Sequence, residues 1–212
     1  MSGRILTVAQ QKGGSGKTTL AAHLAVSLSR RGEGAVAILD VDTQGSLGTW
    51  FETREETLGE DATGLVFRTA SGWGARREAK ALARDHAYVV VDTPPKTDAD
   101  AKPAIDAADL VLVPIQPTPV DLWATDQTLR LAERENTPAV LVFNRVPPRA
   151  ALTLEMTEAI AKHGFQALGA RLGNRTAFAA SMGQGRTVME TDPSGKAAAE
   201  MTALLQELAT RL

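Results

Sequence analysis

Cysteine is absent from the 212 residues. Disulfides, thiolate zinc sites, cysteine-ligated iron–sulfur clusters and a cysteine nucleophile are therefore excluded together. Aromatic residues are scarce at 4%, and Tyr88 is the only tyrosine. Neither sign of charge dominates: 23 Lys and Arg stand against 25 Asp and Glu, a net charge of −2. That balance excludes a protein basic throughout while leaving room for a local basic patch. No apolar run approaches the roughly 18 residues that a membrane span needs. Met1–Arg4 leads straight into Ile5-Leu6-Thr7-Val8-Ala9, with no apolar signal region and no small-residue cleavage site. A cytoplasmic protein is expected.

Hydrophobic residues make up 43%. A chain of this length and composition is read as one domain, 1–212, with a sizeable core. Strand candidates are Ile5–Ala9, Ala35–Leu39, Leu65–Phe67, Tyr88–Val91, Leu110–Pro114 and Ala139–Phe143. They are apolar without alternation, as parallel strands covered on both faces should be. Leu20, Leu24 and Leu28 form a helical stripe, and Met201, Leu204, Leu205, Leu208 and Leu212 form another. The order predicts a doubly wound α/β domain with a mostly parallel sheet and helices on both faces. Glu52–Gly64 and Pro147-Pro148 read as surface excursions. Trp50, Trp73 and Trp123 read as packing residues, and His23, His86 and His163 show no ligand spacing.

The densest chemistry lies in Gln11-Lys12-Gly13-Gly14-Ser15-Gly16-Lys17-Thr18-Thr19, between the first strand and the first helix. Glycines let backbone N–H groups turn inward around phosphate oxygens, and the helix N-terminus adds its positive dipole end. Lys17 is placed to reach the β- and γ-phosphates of a nucleotide, and the Thr18 hydroxyl to bind Mg²⁺. Two acidic segments follow. Asp40 and Asp42 stand two residues apart at the end of the second strand, on the ligand side of a doubly wound sheet. The run Val89-Val90-Val91 ends in Asp92, the pattern of an aspartate that holds Mg²⁺ through a water.

The usual phosphate-loop pattern G-x-x-x-x-G-K-[ST] is not met, because Gln11 stands where its first glycine would fall. A second lysine, Lys12, comes early in the loop instead. This form resembles the deviant Walker A motif K-G-G-x-G-K-[ST]-[ST] of the ParA/MinD family of dimeric ATPases, and the resemblance covers nearly the whole chain. It implies a P-loop ATPase that dimerises around ATP and Mg²⁺, with Lys12 crossing to the partner subunit's nucleotide. It implies that Asp42 positions the attacking water and that Asp40 lies near the magnesium. Thr43 stands where the family usually has proline, a difference in stiffness more than in chemistry. Thr93-Pro94-Pro95 looks like the family's γ-phosphate-sensing switch. Val142-Phe143-Asn144-Arg145 resembles the segment whose asparagine recognises adenine, making Asn144 the base contact. Ala170–Gly173 fall where the family's backbone meets the base, with a poor match in sequence.

By this resemblance the chain is closest to small ParA partition proteins. The expectation is an ATP-driven homodimer that binds DNA without sequence preference, works with a ParB-like or adaptor protein and positions a plasmid, chromosome or protein cargo on the nucleoid. Arg171, Arg175 and Arg186 lie in a stretch free of Asp and Glu. They are the candidate phosphate contacts and are expected to share one face, with Arg149 and Lys196 as alternatives. Two other readings stay open. A MinD-like membrane switch needs a basic amphipathic tail, whereas the segment from Ala199 holds Glu200, Glu207 and a single Arg211. A metabolic P-loop enzyme would have no need of Lys12.

Overall fold

The computed structural model describes residues 2–95, 98–148, 151–162 and 164–211; Arg149, His163 and Leu212 lie outside the described residues. Strand β1 (Arg4–Val8) runs through the phosphate loop into helix α1 (Lys17–Arg31). Next come β2 (Val36–Asp40), α2 (Ser46–Leu58), β3 (Val66–Thr69), α3 (Ala75–Leu82), β4 (Tyr88–Asp92) and α4 (Asp98–Ala107). The second half holds β5 (Leu110–Ile115), α5 (Pro119–Arg134), β6 (Ala139–Val146), α6 (Ala151–Lys162) and β7 (Ala167–Gly173). Helices α7 (Thr176–Met182), α8 (Val188–Thr191) and α9 (Lys196–Ala209) follow. The strands form one seven-stranded sheet in the order β3-β2-β4-β1-β5-β6-β7, and every ladder is parallel. The expected doubly wound architecture is therefore the one observed.

Alternation along each strand feeds a core on each face of the sheet, the second of them in two clusters. Leu6, Val8, Ile38, Val90, Leu112 and Val142 pack under α1, α2 and α9. Their neighbours Leu39, Val89 and Val91 pack under α3 and α4, and Val113, Leu141 and Phe143 under α4, α5 and α6.

Three expectations change. Glu52–Leu58 is the second half of α2 and not an excursion, because Trp50, Phe51 and Arg54 are buried and hold the helix down. Strand β7 escaped prediction. Its sequence ALGARLG carries two glycines and an arginine, so its apolar signal is weak. Of the tryptophans only Trp50 packs; Trp73 and Trp123 are 85% and 71% exposed.

At the open edge of β7, the N–H groups of Gly169 and Ala170 donate to the Glu207 carboxylate, and that of Gly173 to Glu200. On the same face of the sheet, Arg54 joins α2 to the C-terminal segment. Its Nη1 and Nη2 donate to the two oxygens of Glu190, and further N–H groups reach the carbonyls of Thr63 and Gly185. Burial alone would raise the Glu190 carboxyl, but the bonds and charge of Arg54 win and hold it below its ordinary value.

Arg54→Met should cost about 3–5 kcal/mol, because it strands Glu190 and two buried carbonyls. Adding Glu190→Leu should recover part of that loss. Urea denaturation of the three proteins tests this, and equal stability of wild type and Arg54→Met would refute the role.

Candidate nucleotide site

Strands β2, β4 and β1 lie side by side, with Asp40 level with Asp92 and Asp92 level with Val8. The loop after β1 and both acidic segments therefore meet at the C-terminal ends of three adjacent strands, where open α/β sheets bind ligands. The loop turns through two left-handed glycines, Gly14 at φ 75° and Gly16 at φ 90°. A Cβ on Gly16 would stand 2.4 Å from Asn144 Nδ2, so this position excludes a side chain on both counts. Helix α1 begins at Lys17 with no side-chain cap on its first turn, leaving N–H groups for an anion. A cleft of about 550 Å³ opens over Gly13, Gly14, Lys17, Thr18, Thr19 and Asp42. Ser15 is buried in the loop, its hydroxyl without a hydrogen-bond partner.

Charge is concentrated and dry here. Burial pushes the Lys17 ammonium pKa down, against the pull of Asp92 and Asp42. Asp92 is fully buried, and its carboxyl pKa rises to about 7. Burial is the main cause and the charge of Asp40 adds to it, while the nearby Thr18 hydroxyl acts the other way. Neither Asp92 oxygen has a partner within ordinary hydrogen-bond geometry. An orphaned buried carboxylate beside the Thr18 hydroxyl fits a cation. Among the described residues no set of three or more His, Asp or Glu converges as a metal cage. A Mg²⁺ that keeps waters and phosphate oxygens as ligands needs none.

Asp40 is beside Asp92, but both its oxygens are engaged: Oδ1 accepts from Asp42 N at 2.9 Å and Oδ2 from Gly48 N at 3.2 Å. It shapes the turn and supplies charge. Burial raises its pKa, and those two N–H bonds oppose the rise. Asp42 faces the cleft and folds its own turn by accepting from Gln44 N at 3.0 Å.

Helix α5 buttresses the start of the loop, a set of contacts that sequence reasoning missed. Gln10 Nε2 donates to Thr125 Oγ1, and the Gln11 N–H to Thr128 Oγ1. Lys12 Nζ lies 2.8 Å from Asp121 Oδ2. The Asp121 side chain is only 2% exposed, its Oδ2 also accepts from the Thr118 hydroxyl, and its Oδ1 has no partner. Lys12 is thus held at the side of the loop, outside the lining of the cleft. The pairing of Asp121 with Lys12, across 109 positions, left no local signal.

From the other side, Asn144 Nδ2 donates to the Ser15 carbonyl at 2.9 Å, and Arg145 Nη1 to that of Gly14 at 3.0 Å. Behind the loop, buried His23 ties α1 to the C-terminal segment. The Val188 N–H donates to its Nε2, which leaves Nδ1–H to donate to Thr19 O at 2.8 Å. Burial lowers its pKa to about 4, so the ring is neutral.

The three arginines do not share one face. Arg171 lies over the Phe143 ring on the α5–α6 side, because β7 turns Leu168 and Leu172 to the opposite core. Arg186 is half-buried on the α1–α2 side, where its carbonyl accepts from Trp50 Nε1. Arg175 is exposed and paired with Glu200 at 2.6 Å. A larger hollow of about 800 Å³, around Asp109, Arg130 and Arg211, lies away from every motif residue.

Fold and site together define a nucleotide-binding P-loop protein. Residues 6–188 match the CobQ/CobB/MinD/ParA nucleotide-binding domain, and the chain belongs to that family. It is 31% identical over 210 residues to maintenance of carboxysome distribution protein A of Halothiobacillus neapolitanus, covering 96% of this chain and 95% of that one. It is 30% identical over 184 residues to protein ParA of Rhizobium radiobacter, covering 83% and 81%. Among solved structures it resembles the ATP complex of a Cyanothece McdA variant, with TM-score 0.77 at 17% identity over 98% of this chain and 97% of that one. It also resembles the MinD–Mg-ADP complex of Pyrococcus horikoshii, with TM-score 0.79 at 18% identity over 99% and 98%.

Asp92→Asn should raise the stability of the nucleotide-free protein above pH 7 by about 1–3 kcal/mol, since it replaces a buried ionisable carboxyl by a neutral amide. The same change should remove the gain in nucleotide affinity that Mg²⁺ confers. Thermal melts and titrations with and without Mg²⁺ are the measurements. A less stable variant that keeps its Mg²⁺ dependence would overturn the assignment.

Proposed function

We propose that the chain is an ATP-hydrolysing, dimerising switch of the ParA type, which positions a cargo in concert with an activating partner. The observation that carries this reading is the place of Lys12. Its ammonium is bound to Asp121 beside the loop and does not line the cleft. A second basic residue of the phosphate loop, seated at its side and partly exposed, can exchange its exposed-side contact for the phosphates of another subunit. Charge supplied in trans couples assembly to nucleotide state.

In this reading Lys17 and the amides of Gly13–Thr19 hold the phosphates. The Thr18 hydroxyl and, through water, Asp92 would hold a Mg²⁺, which would supply charge neutralisation at the phosphates. Asp42, half-exposed at the cleft, orients the attacking water, and Asn144 contacts the base with what its amide has left after bonding Ser15 and Arg145. Asp40 fixes the turn that carries Asp42. Turnover is slow until a ParB-like or adaptor protein binds. The names of the relatives, for carboxysome distribution and for partition, support a plasmid, chromosome or large protein assembly as cargo. The metabolic alternative gives Lys12 no role beyond its pair with Asp121. The membrane alternative is disfavoured because α9 buries Met201, Leu204, Leu205 and Leu208 in the core.

The matrix for such positioning is DNA of the nucleoid, bound without sequence preference by the ATP-bound homodimer. Of the three arginines, Arg175 is the best placed, since an exposed pair with Glu200 is worth little and yields readily to a phosphate.

Lys12→Ala strands the buried Asp121 and should lower stability. At a temperature where it stays folded it should keep most nucleotide binding and lose ATP-dependent dimerisation together with partner-stimulated hydrolysis. Asp42→Ala should bind ATP and accumulate as a dimer. Light scattering with ATP, alongside phosphate release, decides: a Lys12→Ala protein that dimerises normally would remove the basis of this reading. DNA binding by the wild-type dimer should weaken steeply with salt, by a log–log slope of about −0.9 per phosphate contacted. Arg175→Glu should abolish it while ATP-dependent dimerisation survives, and unaltered DNA affinity in that variant would clear Arg175 of the role.

A further inference from the structure

Strand β6 ends irregularly. Successive side chains of a strand point to opposite faces, so Asn144 and Arg145 should diverge. They do not: both reach the phosphate loop. Arg145 has φ 52°, a left-handed conformation unusual for a residue with a side chain, and the register between β6 and β7 slips between Phe143 and Val146. Bulges of this kind re-aim side chains beside functional sites. Here the Arg145 N–H donates to Asn144 Oδ1 at 2.9 Å, locking the two residues together. Asn144 Nδ2 then takes the Ser15 carbonyl, and Arg145 Nη1 the Gly14 carbonyl.

The consequence follows from peptide geometry. In a trans peptide the C=O and N–H point in opposite directions. Holding the carbonyls of Gly14 and Ser15 on the end of β6 turns the N–H groups of Ser15 and Gly16 the opposite way. The clamp therefore fixes the direction of two amides of the phosphate loop before any phosphate arrives. Asn144 does this from a buried position, while Arg145 is exposed and lines the cleft itself.

We propose that Arg145 is a positioning residue of the nucleotide site, held in a strained backbone conformation so that its guanidinium can fix the Gly14 peptide of the phosphate loop. Strain of this kind persists where the surroundings over-determine it, and it concentrates at functional sites. The inference rests on the nucleotide reading of the cleft and adds a residue to it.

The test compares wild type with Arg145→Gly, Arg145→Ala and Arg145→Lys. Mg·ATP and Mg·ADP titrations, nucleotide-free melts and steady-state phosphate release are the readouts. Glycine tolerates the left-handed conformation, so Arg145→Gly should melt at or above the wild-type temperature. It should nevertheless bind both nucleotides about tenfold more weakly, as expected for loss of a charge-assisted bond. Because the loop holds ground state and transition state alike, KM should rise while kcat stays within about twofold. Arg145→Lys, whose ammonium can still reach the Gly14 carbonyl, should recover most of the affinity.

Wild-type affinity in Arg145→Gly and Arg145→Ala would overturn the proposal. So would a fall in affinity matched by a fall in the nucleotide-free melting temperature of Arg145→Gly, which would make Arg145 a general prop of the fold. A loss confined to kcat would overturn it as well. If the wild-type chain itself binds neither nucleotide, the reading of the cleft fails and this proposal with it; wild-type binding with indifferent variants sinks the proposal alone.

Discussion

Lys17 and Asp92 lie in the driest part of the sheet's C-terminal rim, one with its ammonium pKa pushed down and the other with its carboxyl pushed up to about 7. Each is costly to keep charged alone, and desolvation outweighs their mutual attraction. Much of the surrounding geometry follows from this tension. The main-chain donors at Asp42 and Gly48 are spent on Asp40 next door. That leaves Asp92 no main-chain donor, with only the nearby Thr18 hydroxyl and the charge of Lys17 opposing the rise in its pKa. A site held short of electrostatic balance binds a metal–phosphate pair more readily than one already neutralised from within.

The loop over this pair is braced from two directions by elements distant in sequence. The threonines and Asp121 of α5 hold Gln10, Gln11 and Lys12, while the end of β6 holds Gly14 and Ser15. Between the braces the glycines retain the freedom that close backbone approach to phosphate demands. The loop is thus rigid where it joins the fold and open only along the cleft. Movement of α5 or of the β6 end would be felt at the phosphates without any change in the loop's own sequence.

Much of this was legible in the amino-acid order because the chemistry is local. A strand, a glycine-rich turn, Lys17 and a helix stand in unbroken succession, and Asp40, Asp42 and Asp92 each close an apolar run. What was not legible depends on side chains meeting across long separations or on backbone angles. The Lys12–Asp121 pair joins two segments with no common pattern. Arg145 carries no sign of its left-handed φ, because arginine is not a residue that such a conformation selects. The arginine stretch from 171 to 186 looked continuous in charge, yet a strand, two turns and α7 divide it between opposite faces of the sheet. Strand β7 escaped because its glycines and Arg171 dilute the β-branched signal on which strand recognition relies.

An all-parallel sheet has two open edges, and each is a template onto which another chain could add a strand. At β7 that route is chemically blocked. Glu200 and Glu207 reach from α9 to accept from Gly173, Gly169 and Ala170, so an incoming strand would have to displace two carboxylates and desolvate them. The capped edge steers self-association away from strand exchange and from the open-ended fibres it seeds. At this edge, copies that meet do so through side-chain surfaces, which can come apart again.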